Sequence, residues 1–206
     1  MTPRPPSPAN CSERPAPTAM EHADAILTRL TKLGDTSLIV HWFTDTHGLI
    51  KTVAKAARRP KSPFAGKLDL FFSAEVHWAP ARRGELHHLR EATPTDCRES
   101  IRRDYTATLL AAYFSRLLEM AVQPEHPEPE LHDLLRRALD HTAQRGATRR
   151  ALLHFEHELA RLLGITAGKK QTARALRDAL GGLPAQRGQI LDRLDPGPSA
   201  PELGER

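Results

Sequence analysis

Residues 68–78 read LDLFFSAEVHW, and their alternation decides the first half of the chain. Leu68, Leu70, Phe72, Ala74, Val76 and Trp78 fall on one side of a two-residue period, and Asp69, Ser73, Glu75 and His77 on the other. Successive strand side chains point to opposite faces, so this pattern predicts a half-buried strand. Working outward, four more runs rich in Ile, Leu, Val, Thr and Phe stand at 25–33, 36–44, 49–56 and 85–91. Gly34-Asp35 is a tight hairpin signal, and Thr46-His47-Gly48 supplies a glycine where a turn needs positive φ.

Five short strands within roughly 70 residues predict a small closed barrel, because closure removes the edges such a sheet would expose. An OB-fold over residues 20–92 is expected. After Thr93 the texture turns helical. Leu110, Phe114, Leu117, Leu118 and Ala121 recur at three- and four-residue spacing. PEHPEPE (124–130) then breaks the chain before Leu131, Leu134, Leu135, Ala138 and Leu139 repeat the stripe. A third helix carries Leu152, Phe155, Leu159 and Leu163, with Thr148 as N-cap and Gly164 as stop. Two weaker helices are expected, one with Ala173, Leu176 and Leu180 ending at Gly181-Gly182, the other opened by Pro184 and carrying Ile190, Leu191 and Leu194. The fold class is therefore α+β, a five-stranded OB barrel followed by an all-α domain over 93–195. Residues 1–19 and 196–206 read as disordered tails, the first rich in proline. Met20 is the expected start of translation.

With 206 residues the chain can bury a core without staples. Two cysteines, Cys11 and Cys97, provide neither a disulfide framework nor a four-thiolate zinc site, which fits a reducing compartment. No stretch approaches the roughly 20 apolar residues of a membrane helix, so a soluble, cytoplasmic protein is expected. The net charge of +5 favours polyanionic partners where the positive groups share a surface.

They gather in KTVAKAARRPKSPFAGK (51–67), which holds Lys51, Lys55, Arg58, Arg59, Lys61 and Lys67 and no acidic residue. Such a run taken alone is more often a solvated loop. On a barrel of this kind it can line a groove, neutralising phosphates along a strand and releasing counterions. Arg29, Lys32, Arg82 and Arg83 would extend the surface. Most of the aromatics, Trp42, Phe43, Phe71, Phe72 and Trp78, are expected in the core. Phe64, between Pro63 and Gly66 in the basic loop, is the one expected to be exposed for base stacking.

GDTSLIVHWFTDTHGLIKTVAKAARRPKS (34–62), followed by FAGKLDLFF (64–72), resembles the N-terminal domain of the RecO family of bacterial recombination mediators. That family shows a similar Glu/Asp-Thr-Ser-Leu strand, a Phe-Thr-x-x-x-Gly turn and a Val-Ala-Lys-Gly-Ala-Arg-like basic loop. RRALLHFEHELARLLGI (149–165) looks like the family's Arg-Phe-Glu-Leu-x-Leu-Leu-x-x-Leu-Gly-Tyr helix, so the resemblance covers about 20–165. Two departures stand out. Ala56 replaces the glycine usual in the basic loop, and no thiolate cluster follows Gly164, where many relatives carry a zinc module.

The resemblance implies a DNA repair mediator of the RecF pathway. It would bind single- and double-stranded DNA, anneal complementary strands and help RecA replace single-strand-binding protein. RecR and the acidic C-terminal tail of single-strand-binding protein would be partners, with a functional link to RecF, in the bacterial cytoplasm near the nucleoid. No catalytic residue, cofactor or metal is expected. His157-Glu158 begins like a zinc-protease helix, but Arg161 occupies the place of the second histidine. His154, Glu156, His157 and Glu158 read as an exposed charged face, and His87-His88 as strand surface. Two other readings stay open on the residues alone, a protein-interaction scaffold and an RNA-binding OB protein.

Overall fold

The computed structural model describes residues 20–166, 168 and 171–195. The expectations for 1–19 and 196–206 lie outside the described residues. Five strands, β1 (Glu21–Leu33), β2 (Ser37–Thr44), β3 (Gly48–Ala54), β4 (Ser73–Ala79) and β5 (Leu86–Asp96), close into a barrel in the order β1-β2-β3-β5-β4. All pairings are antiparallel except β3 with β5. The expected OB barrel is what forms. Its interior is filled by alternate residues, among them Leu27, Val40, Trp42, Ile50, Val76 and Trp78. Trp42 and Trp78 are fully enclosed, and the Trp42 indole N–H donates to Thr52 Oγ1 at 3.0 Å.

The strand expected over 68–78 begins only at Ser73. Phe71 adopts φ 68°, and the chain turns there. The N–H of Phe71 donates to the carbonyl of Leu27 at 2.8 Å, and the N–H of Leu27 donates to the carbonyl of Phe72 at 2.9 Å. Leu68 and Leu70 still pack against the barrel interior, from a loop. Apolar alternation thus continued past the strand end, because a covering loop buries side chains too. The fifth strand outruns the expected 85–91 and reaches Asp96, with Thr93 opposite Glu75 and Asp96 opposite Ser73.

Among the described residues six helices follow: α1 (Glu99–Arg103), α2 (Tyr105–Ala121), α3 (Pro129–Arg145), α4 (Arg149–Leu162), α5 (Thr172–Leu180) and α6 (Gln186–Leu194). Sequence reading missed α1, which is one short turn with a single buried apolar residue, Ile101. Thr148 caps α4 by accepting from the N–H of Ala151, and Gly164 leaves that helix at φ 70°. Asp104 caps α2 through the N–H groups of Thr106 and Ala107.

A second core, apart from the barrel interior, joins the barrel to the helices. Ile26, Phe43 and Phe71 point out of the barrel and join Leu110, Phe114, Leu118, Leu131 and Leu135. The link between α2 and α3 docks as well: Leu49 bridges Pro124, and the N–H of Glu125 donates to the Leu49 carbonyl at 3.0 Å. Gly48 permits that approach, since a Cβ there would lie 2.0 Å from the carbonyl oxygen of His126.

Two surface expectations fail in the helical half and on β5. Glu156 is fully buried, accepting from the Tyr113 hydroxyl at 2.5 Å and from Arg187 of α6 at 2.6 and 3.1 Å. A buried carboxylate needs such partners, and they pin α6 across α2 and α4. His87 is buried too, its Nδ1 accepting from the N–H of Ala81 at 3.1 Å and its Nε2 lying 3.3 Å from Glu125.

Candidate nucleic-acid interface

Val40 and Trp42 point into the barrel, so His41 between them points out. The register sets Arg29 opposite His41 on β1 and β2, and His41 opposite Lys51 on β2 and β3. Directly opposed residues share a face, so Arg29, His41 and Lys51 form a row across three strands. Two residues farther along, Thr31, Ile39 and Val53 form a second row. Lys55 stands beyond them at the rim, four residues past Lys51, or about 13 Å at strand rise.

A groove of about 510 Å³ runs over this face, lined by Thr31, Ile39, His41, Lys51, Glu85 and Leu86. The β1–β2 hairpin carries Lys32 near its tip, and the β4–β5 loop carries exposed Arg82 and Arg83. This is the face that OB-folds offer to oligonucleotides, between the loops joining strands one to two and four to five.

The basic loop is a chain of tight turns, not a helix. Amide N–H groups of Arg59, Ser62, Ala65 and Lys67 each donate to the carbonyl three residues back, at 3.0 to 3.1 Å. Arg58 ties the loop to the hairpin tip, its N–H donating to Thr36 O at 2.9 Å and its guanidinium to Asp35 O at 2.9 Å. Lys55, Arg58, Arg59 and Lys61 are exposed and Lys67 half-buried. Among the described residues none of these, nor Lys32, Arg82 or Arg83, makes an ion pair with a carboxylate.

Two expected cations are engaged. Arg29 is held by Glu119 of α2, which also takes Arg116 at 3.1 Å. Lys51 meets Glu85 at 3.0 Å. The Lys51–Glu85 pair is exposed, so it contributes about 1 kcal/mol or less and can open, whereas Glu119 is largely buried and also accepts from Thr28. Phe64 corrects the sequence reading outright. It is 7 % exposed and belongs to the barrel interior with Leu89 and Ala92. Closing an apolar ring into the core gains about 2 kcal/mol over leaving it in water, which an isolated stacking platform forgoes.

His41 was missed as a lining residue, although its place between two inward residues on a strand signals an outward side chain. Burial holds its imidazole below the ordinary range, as does Arg29; Glu119 acts against this, and Lys51 lowers it further.

A second concavity of about 530 Å³ lies among α2, α3 and α4. Phe114, Leu134 and Phe155 form its apolar floor, and Arg137, Arg150 and His154 stand among its walls.

Comparison with known proteins agrees with this architecture. The family description "Recombination protein O N terminal" matches residues 20–98, and "Recombination protein O C terminal" matches 102–168. The chain belongs to the RecO family. Similar relatives, each named DNA repair protein RecO, include those of Syntrophotalea carbinolica, 31 % identical over 69 % of this chain and 55 % of the relative, and Methylococcus capsulatus, 35 % over 63 % and 52 %. The protein of Rhodopirellula baltica is 30 % identical over 75 % of this chain and 57 % of its own. The chain spans about half the length of these RecO relatives. Helices α5 and α6 lie wholly past the matched 102–168. Among the described residues no helix is long and apolar enough to cross a membrane, and no group of three or more His, Cys, Asp or Glu is disposed to hold a metal.

Proposed function

We propose that this chain is a non-enzymatic mediator that binds single- and double-stranded DNA on the β1-β2-β3 face and anneals complementary strands. It would thereby help RecA load onto DNA coated with single-strand-binding protein in the bacterial cytoplasm, alongside RecR and RecF. The carrying observation is that Lys55, Arg58, Arg59 and Lys61 stand exposed and, among the described residues, without carboxylate partners, in the loop that follows β3, the strand whose Lys51 lines the groove. Phosphates need such cations, whereas annealing needs charge neutralisation more than base readout.

The test is oligonucleotide binding and annealing by the full chain at low and physiological salt, beside the charge reversal of Arg58, Arg59 and Lys61. Weaker binding on all sequences, a flatter salt dependence and lost annealing are expected. Unchanged binding refutes the site. A preference for RNA over DNA of equal length would move the reading to RNA.

The cleft among α2, α3 and α4 supports the partner reading. An apolar floor with Arg137 and Arg150 beside it suits an acidic segment such as the tail of single-strand-binding protein. Reversal of Arg150 should abolish binding of that tail peptide and leave DNA affinity intact. A chain that took the peptide but no DNA at any salt would instead be an interaction scaffold.

A further inference from the structure

We propose that His41 is a nucleic-acid contact of the groove, and that it takes up a proton when a phosphate backbone seats there, making affinity rise as pH falls. This rests on the DNA-binding reading above and names a residue and a regulation that reading lacks.

Three observations carry it. His41 sits midway in the row formed with Arg29 and Lys51, at the place a third cation would occupy. It lines the groove, and no Trp, Phe or Tyr does so, since Phe64, Trp42, Phe43 and Trp78 are all buried. Its flanking cations are each countered by a carboxylate, Glu119 on Arg29 and Glu85 on Lys51, so the row carries little net charge until a stronger anion arrives.

The groups facing His41 set the direction. Arg29 comes from β1, Lys51 from β3, Glu119 from α2, and Glu85 lines the groove from the β4–β5 loop. Burial and the two cations favour the neutral ring in the free protein. A phosphate placed over the row adds negative charge beside the ring and competes with Glu119 and Glu85 for Arg29 and Lys51, so the bound state favours the imidazolium. By linkage, the state that binds more protons gains as pH falls. While one proton is taken up, affinity rises by up to about tenfold per pH unit.

The test uses the full chain and an oligothymidylate, whose bases do not titrate near neutrality. Affinity is measured at fixed ionic strength from pH 8 to 5.5 for the wild type, His41→Gln and His41→Arg. The wild type should tighten several-fold on acidification. His41→Gln should stay flat near the high-pH affinity, and His41→Arg flat near the low-pH affinity. Proton uptake, read as a dependence of binding heat on buffer ionisation enthalpy, should vanish in both variants. A His41→Gln variant that keeps the wild-type pH slope overturns the proposal while leaving DNA binding standing. No oligothymidylate binding at any pH by any of the three overturns the DNA-binding reading itself, and this proposal with it.

Discussion

Arg98 donates through Nε to Oδ1 of Asp140 at 2.7 Å, joining the end of β5 to α3. The same guanidinium donates through Nη1 to the Phe71 carbonyl at 2.8 Å and to Ser73 Oγ at 2.9 Å. It therefore clamps the turn before β4, the exit of β5 and the helical layer at once. Arg98 is buried and holds φ 40°, a conformation that side chains other than glycine adopt only at a cost. Arg98→Ala should cost about 3–5 kcal/mol in urea unfolding, the range for a broken buried pair. Asp140→Asn keeps an acceptor for Arg98, and Asp140 is partly solvated, so about 1 kcal/mol is expected there.

Gly48→Ala should be among the costliest single substitutions. It meets a backbone oxygen at 2.0 Å and a left-handed φ of 66°, so the 124–126 segment must leave β3. Amide exchange of Glu125, whose N–H bonds to Leu49, should accelerate before global unfolding does.

Ala56→Gly should stabilise. Ala56 stands at φ 54°, and relief of left-handed strain exceeds the added freedom of the unfolded chain by about 1 kcal/mol or less. Thermal unfolding should shift upward with DNA affinity unchanged, because the positive charges of the loop remain.

Glu85→Gln should tighten DNA binding. It frees Lys51 without altering side-chain size, and the logarithmic salt slope should steepen by about 0.7 on single strands, the value of one further phosphate contact.

Acid should weaken the seam between barrel and α3 through His132. Burial foremost holds its imidazole below the ordinary 6.5, with Arg136 acting the same way and Asp45, Asp24 and Asp133 opposing. The unfolded chain takes up a proton near pH 6.5 that the fold resists, so stability is full above that value and falls as pH drops toward the folded one. His41 shifts in the same direction. Urea midpoints between pH 7.5 and 5 should fall for the wild type, less for His132→Gln and least for the double variant with His41→Gln.

Much of this was legible because the period-two pattern fixes what a strand buries. Ala74, Val76 and Trp78 read correctly for that reason. Alternation could not locate the end of a strand whose neighbouring loop is also covered, so Phe71 and Phe72 passed as strand while a turn lay between Asp69 and Phe72. Charge was legible in sequence but its partners were not. Glu119 reaches Arg29 from 90 positions away, and Glu156, between His154 and His157, looked solvated until Tyr113 and Arg187 converged on it from other helices. Phe64 misled for a related reason: proline and glycine mark a turn, not the side on which the ring falls.

The sharing of Ile26, Phe43 and Phe71 between the barrel wall and the helices bears on synthesis. The last strand is complete at Asp96, yet the wall it closes stays bare until α3 has emerged, roughly 50 residues and several seconds later at ribosomal speed. During that interval the nascent barrel exposes an isoleucine and two phenylalanines to whatever chaperone attends the exit tunnel, and its final compaction waits on the second half of its own message.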